Sequence, residues 1–144
     1  MRRWLLRGFA IVVVAFVAIQ LVPYGRNHTD PPVTAEPAWD SPQTRDLAAR
    51  ACFDCHSNQT DWPWYTNVAP VSWLTQRHVD EGRAKLNFST WGTGRQETQN
   101  IGRQINSGVM PPWDYLLLHP AARLGDAEKT QLISGLQATL GSGR

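Results

Sequence analysis

An all-α fold with long connecting loops is predicted by three features of this sequence. Segments with apolar residues three or four apart are opened or closed by helix signals, among them Ser41-Pro42, Pro70, Gly108 and Asp126. No run reads as a convincing strand. The length, 144 residues with 42% hydrophobic and 18% charged, suits one compact domain and is too short for two comfortable ones.

In chain order, the first expected element is a targeting segment, residues 1–24. Arg2, Arg3 and Arg7 make a positive start, and the chain from Gly8 to Val22 is apolar apart from Gln20. Counted from Trp4 to Val22 it approaches the ~20 residues needed to cross a bilayer, with Arg7 snorkelling at the cytoplasmic edge. No small-x-small cleavage site follows, so a retained signal anchor is expected ahead of a cleaved peptide or a buried core helix. The positive end then stays inside, and the rest of the chain faces the exported side, the bacterial periplasm. Residues 25–42 carry Pro31, Pro32, Pro37 and Pro42 with almost no periodic apolar signal, and read as a solvated tether.

Residues 43–144 are the expected folded domain. Ser41 and Pro42 pair as N-cap and first turn of a helix through Leu47, Ala48 and Ala51. A second helix begins at Pro70 and runs past Glu81 to Gly82 or just beyond. A third covers about Glu97 to Asn106, with Gly108 as its stop. The last opens on Asp126 as cap and carries Leu132, Ile133, Leu136 and Leu140 on one side. Trp62, Trp64, Tyr65, Trp73, Phe88, Trp91 and Trp113 fall in loops or at helix ends, where bulky aromatics need a large flat surface to pack on.

The charge balance excludes a nucleic-acid partner. Fourteen basic residues stand against twelve acidic ones, and without the three leading arginines the count is eleven against twelve. No basic stripe remains to meet a phosphate backbone. The two cysteines are too few for a disulfide scaffold or a four-cysteine zinc site.

Their setting is Cys52-Phe53-Asp54-Cys55-His56. In a C-x-x-C-H sequence, two thiols one helical turn apart add to the vinyl groups of a haem, and the adjacent histidine becomes the proximal ligand. A thioredoxin-like redox pair would want a βαβ setting, which is absent. Zinc would need two further ligands, with His28, His78 and His119 as scattered candidates. A chance occurrence is the remaining alternative. Export and the lack of any other cysteine favour one covalent haem c.

Met110 is the only methionine after the initiator and lies in Gly108-Val109-Met110-Pro111-Pro112. Prolines stiffen the backbone around the thioether and lower the cost of holding sulfur against iron as sixth ligand. His78 and His119 are its rivals, each otherwise a hydrogen-bonding histidine, and Met110 is otherwise an apolar gap-filler. His28 falls in the tether. Met110 follows His56 by 54 positions, which lets the chain travel round the haem edge to the opposite face.

Several runs resemble the bacterial haem-binding domain family: Cys52 to Asn58, Pro63-Trp64-Tyr65, Ala69 to Trp73, His78 to Arg83, Leu86-Asn87-Phe88-Ser89, Met110-Pro111-Pro112, and Tyr115 with His119 to Leu124. The resemblance covers nearly the whole chain. It implies a membrane-tethered, single-haem, cytochrome-c-like helical domain, with His78 and His119 within its motif set, and it implies little about reaction or partner.

Two functions from different classes follow. With both axial positions filled by protein, the haem is an electron carrier that needs an exposed edge and a redox partner. With the sixth position open or displaceable, the protein is a haem-based sensor or a peroxidase-like enzyme. A haem that only completes a small core is a third, nonredox reading.

Overall fold

The computed structural model describes residues 1–94 and 96–141, and these are mostly helical with no strand. The seven α-helices among them are α1 (Arg2–Ile19), α2 (Pro42–Ala51), α3 (Phe53–His56), α4 (Val71–Lys85), α5 (Ile101–Asn106), α6 (Trp113–Leu118) and α7 (Asp126–Gly141). Short 3-10 turns at Trp64–Asn67 and Pro120–Ala122 sit between them. One isolated parallel bridge joins Ala35 to Thr90.

Local chemistry explains most of these boundaries. The Ser41 hydroxyl accepts the Thr44 N–H at 3.2 Å, and Pro42 opens α2 where its missing N–H costs nothing. Asp126, expected as the cap of α7, is its first helical residue. The Gly125 N–H instead bonds the Glu128 carboxylate at 2.9 Å, one half of a capping box. Gly108, at φ +71°, ends the stretch that begins with α5. That helix is shorter than expected, because the Glu97 N–H bonds Lys85 O at 2.8 Å and residues before Asn100 stay outside the helical ladder.

The chain divides into two compact units, Met1–Thr29 with Asp61–His78, and Asp30–Thr60 with Val79–Arg144. In the second unit α2 packs on α7 closely enough that a Cβ on Gly135 would lie 2.0 Å from Thr44 Oγ1. Leu47, Ala48 and Ala51 of α2 join Leu132 and Leu136 of α7, Ile105 of α5 and Leu124 in one apolar core. Burying side chains of this kind contributes roughly 1.5–3 kcal/mol each. Glu36 receives Arg45 through two bonds of 2.7 Å and Trp39 Nε1 at 2.8 Å, and the Arg45 contact holds its carboxyl below the ordinary value.

In the first unit the Gln20 side chain clamps the Ala69 backbone. Its Nε2 donates to Ala69 O at 2.9 Å, and its Oε1 accepts the Ala69 N–H at 3.0 Å. His28 stacks on Trp62 with ring centroids 4.4 Å apart, and one of its ring nitrogens lies 3.2 Å from Thr66 O.

Three expectations are corrected here. No helix among the described residues is long and apolar enough to cross a membrane. All three arginines lie inside α1, so its arginine-free part, residues 8–19, rises only about 18 Å against a hydrocarbon core of ~30 Å. Residues 25–42 do not run free as a solvated tether: Thr34 N bonds Ser89 O at 2.9 Å, Asp30 pairs with Arg83 at 2.7 Å, and Pro37 is buried. Proline there shapes an extended segment whose unused backbone groups find partners on the fold. The loop aromatics, finally, do not all await a flat surface. Phe88 is 1% exposed and packs with Trp39, Phe53 and Trp91, at centroid distances of 5.2, 5.7 and 6.5 Å.

Candidate functional site

The turn Cys52 to His56 is set between α2 and the single helical turn α3, so both cysteines and the histidine arrive on one short, well-bonded segment. Cys52 N bonds Ala48 O at 2.8 Å, and His56 N bonds Cys52 O at 2.8 Å. Both thiols are free. Desolvation by burial pushes each up to about 12, reinforced at Cys52 by Cys55 and at Cys55 by Asp54. They therefore stay protonated at neutral pH, unlike the low-pKa thiolate of a redox-active Cys-x-x-Cys pair. Among the described residues no three His, Cys, Asp or Glu side chains gather as a metal-binding group, so the zinc alternative finds no further ligands beside them.

His56 is held by the end of α4 and the residue after it. Its Nδ1 lies 3.1 Å from Gly82 O and 3.0 Å from Leu86 O. Two carbonyl acceptors require Nδ1 to carry the proton, which leaves the lone pair on Nε2 for a metal. Burial lowers the imidazole pKa against the opposing pull of those carbonyls, which favours the neutral ring that ligation needs. The residues therefore fit an iron-bound histidine with its orientation and tautomer already set.

A network of backbone and side-chain bonds supports this turn. Phe88 N donates to His56 O at 2.8 Å, Asn58 N to Ser89 Oγ at 2.9 Å, and Asn87 Nδ2 to Asn58 Oδ1 at 2.8 Å. Arg83 Nε donates to Ser57 O at 2.7 Å, and its Nη2 reaches Thr60 Oγ1 at 2.9 Å. Gly82 makes the approach possible. A Cβ there would stand 2.2 Å from Cys55 O, so helix α4 continues through a glycine to lie directly on the motif. The runs Cys52 to Asn58 and Leu86 to Ser89 thus meet Gly82 and Arg83 in one structure, although nothing in their sequence spacing states which atoms pair.

The remaining predicted ligands are placed as follows. Met110 is half-buried between α5 and α6, its N–H bonded to Gln104 O at 3.1 Å. Five residues on, Tyr115 Oη donates to Asp54 Oδ2 at 2.6 Å, which ties the segment after Met110 to the residue between the two cysteines. Burial and the Asp54 carboxylate raise the Tyr115 phenol above its ordinary value and keep it a donor. His119 stacks on Tyr115 with centroids 3.9 Å apart, its Nδ1 3.0 Å from Tyr115 O. His78 lies on α4 in the other unit, half-buried, and His28 is taken up in its stack with Trp62. Sequence reasoning missed Gly82, Leu86, Asp54 and Tyr115 as site residues. The only signal for them was their presence inside the motif runs.

Fold and site together define a class: a helical domain in which a Cys-x-x-Cys-His turn presents a preoriented imidazole. The chain belongs to the haem-binding domain family, which matches it over residues 14–138. No curated protein and no solved structure matches it. The protein is thus a haem-binding domain.

Proposed function

We propose that the haem is haem c, bound covalently through Cys52 and Cys55 with His56 as proximal ligand and Met110 as sixth ligand, and that the protein transfers electrons on the exported, periplasmic side of the membrane. The observation that carries this reading is the His56 ring, held by Gly82 O and Leu86 O at its Nδ1 beside two unpaired cysteines. Bound in this way, haem c supplies a one-electron ferrous and ferric couple. The chain's own residues hold the imidazole neutral and oriented, keep both thiols protonated before attachment, and carry the Met110 segment on a loop tied to Asp54 through Tyr115.

The test is at Met110. A thioether favours ferrous iron, so Met110→Ala is expected to lower the reduction potential, open the ferrous protein to carbon monoxide and abolish the weak far-red band of methionine-ligated ferric haem. His78→Ala and His119→Ala should leave that band in place. One observation favours a second reading: His119, like His56, has its Nδ1 beside a backbone carbonyl, the arrangement typical of a metal-bound imidazole. If the band is absent from the wild type and His119→Ala rather than Met110→Ala makes the iron high-spin, the ligands are two histidines. A wild type that is already high-spin favours a sensor or peroxidase-like enzyme.

Export is read from α1, where three arginines precede an apolar stretch with no buried residue. We assign the membrane as its partner, since lipid would meet the apolar side chains that no protein contact covers. The full chain is expected to fractionate with membranes, resist release by high salt, and be cut by protease added from the periplasmic side. Recovery in the cytosolic fraction would overturn this assignment.

A further inference from the structure

The helix that follows Met110 is not built into the apolar core. No residue of α6 is buried, and none belongs to the cluster of α2, α5 and α7. Trp113, Leu117 and Leu118 are 75%, 62% and 56% exposed, so apolar burial does little to hold this helix in place. Polar contacts hold it instead. On one side of Met110, the N–H groups of Val109 and Met110 both bond Gln104 O at 3.1 Å. On the other side, Tyr115 Oη donates to the Asp54 carboxylate at 2.6 Å, a short bond of the strong, charge-assisted kind.

Both ends of that bond are fixed. Asp54 lies on α3 immediately before Cys55, and its backbone carbonyl accepts the Thr60 hydroxyl at 2.7 Å. Tyr115 is backed by the His119 ring, stacked on it at 3.9 Å between centroids. Between Met110 and Tyr115 stand Pro111 and Pro112, whose rings fix φ, and then Trp113 and Asp114, which open α6. So stiff a linker absorbs little motion. The phenol therefore governs where Met110 stands relative to the turn from Cys52 to His56. A tethered thioether competes with a free ligand through its effective concentration at the iron, which falls when the segment carrying it is released.

We infer that Tyr115 is the positioning residue of the sixth ligand, and that its bond to Asp54 decides how readily an external ligand displaces Met110. The inference rests on the reading of Met110 as sixth ligand and extends it to the residue that keeps the thioether in place. The experiment uses the full haem-loaded chain at equal covalent haem per chain. It reads two signals: the far-red band of methionine-ligated ferric haem, and the rate at which the ferrous protein binds carbon monoxide.

Tyr115→Phe removes one hydroxyl and keeps the ring that stacks on His119. It is expected to weaken the far-red band and to speed carbon monoxide binding about tenfold or more. Asp54→Ala removes the other end of the bond and should do the same, whereas Asp54→Asn leaves the phenol a carbonyl acceptor and should restore most of the band. The double variant, Tyr115→Phe with Asp54→Ala, should go no further than either single change, since all three lose the same bond. Far-UV circular dichroism should stay at the wild-type level, because the core of α2, α5 and α7 is untouched, and this separates displacement of Met110 from loss of fold. Two outcomes overturn the inference while Met110 remains a ligand: a Tyr115→Phe protein with the wild-type band and carbon monoxide rate, or losses that add in the double variant. A wild type with no far-red band takes Met110 off the iron and the inference with it, a result read before Tyr115 is changed and so distinct from a failure of Tyr115 alone.

Discussion

Replacing both Cys52 and Cys55 with alanine is expected to abolish covalent haem, the largest single change available in this chain. Expressed with a cytochrome c maturation system, the wild type should keep its colour with the polypeptide through acid-acetone extraction, and the double variant should lose all of it. Each single variant should keep one thioether, with a pyridine haemochrome band between those of the wild type and of free haem, because each vinyl group consumed shifts that band. Far-UV circular dichroism separates loss of attachment from loss of fold. Cys52 packs against the apolar core of α2, α5 and α7 but only from its edge, and Cys55 stands outside it, so helical signal should survive in part, with stability reduced by the lost ligand and the lost Cys52 contact. A wild type whose pigment is fully extracted would reject the covalent reading and leave the family's haem binding in place.

The second large effect is expected at Gly82. Its substitution by alanine sets a Cβ 2.2 Å from Cys55 O and 2.9 Å from Cys55 C, both backbone atoms with no rotamer to yield. Either α4 moves or the Cys-x-x-Cys-His turn does. Overpacking of this kind costs typically ~1–3 kcal/mol and sometimes more. Here it also pulls the Gly82 carbonyl from His56 Nδ1 and frees the ring that should face the iron. Gly82→Ala is therefore expected to lower the haem incorporated per chain and the urea midpoint together. Gly102→Ala is the control, since its Cβ meets only Ile133 Cγ2 at 3.1 Å, a side-chain methyl that can give way. Equal haem content in Gly82→Ala and wild type would show that α4 does not position the site.

Much of the fold was legible in the order of residues because its causes are local. Ser41-Pro42 marks the start of α2 through a bond spanning three residues, and Gly108 closes the α5 stretch through its own φ. The Cys52 to His56 motif was legible for the same reason: both cysteines and the histidine fall within five positions. The reach of α1 is shorter than its apolar composition suggests, because the span from Trp4 to Val22 runs through Arg7 and past Ile19, where the helix ends. The stretch from Gly25 to Pro42 was read as a solvated tether because proline content says that a segment is extended and nothing about what it lies against.

The order of residues was thus enough for a mostly helical chain with a Cys-x-x-Cys-His turn and a membership in the haem-binding domain family carried by short runs. Only the tertiary structure decided which atoms support that turn. His56 Nδ1 meets carbonyls 26 and 30 positions away, Asn58 meets Asn87, and Tyr115 reaches Asp54 across 61 positions. Such pairings depend on how whole helices pack, and Gly82 permits one of them only because α4 comes to rest on Cys55 O. Residue spacing carries angular information within one helix, where the period is fixed at 3.6, but it carries none about which face of a distant element will arrive.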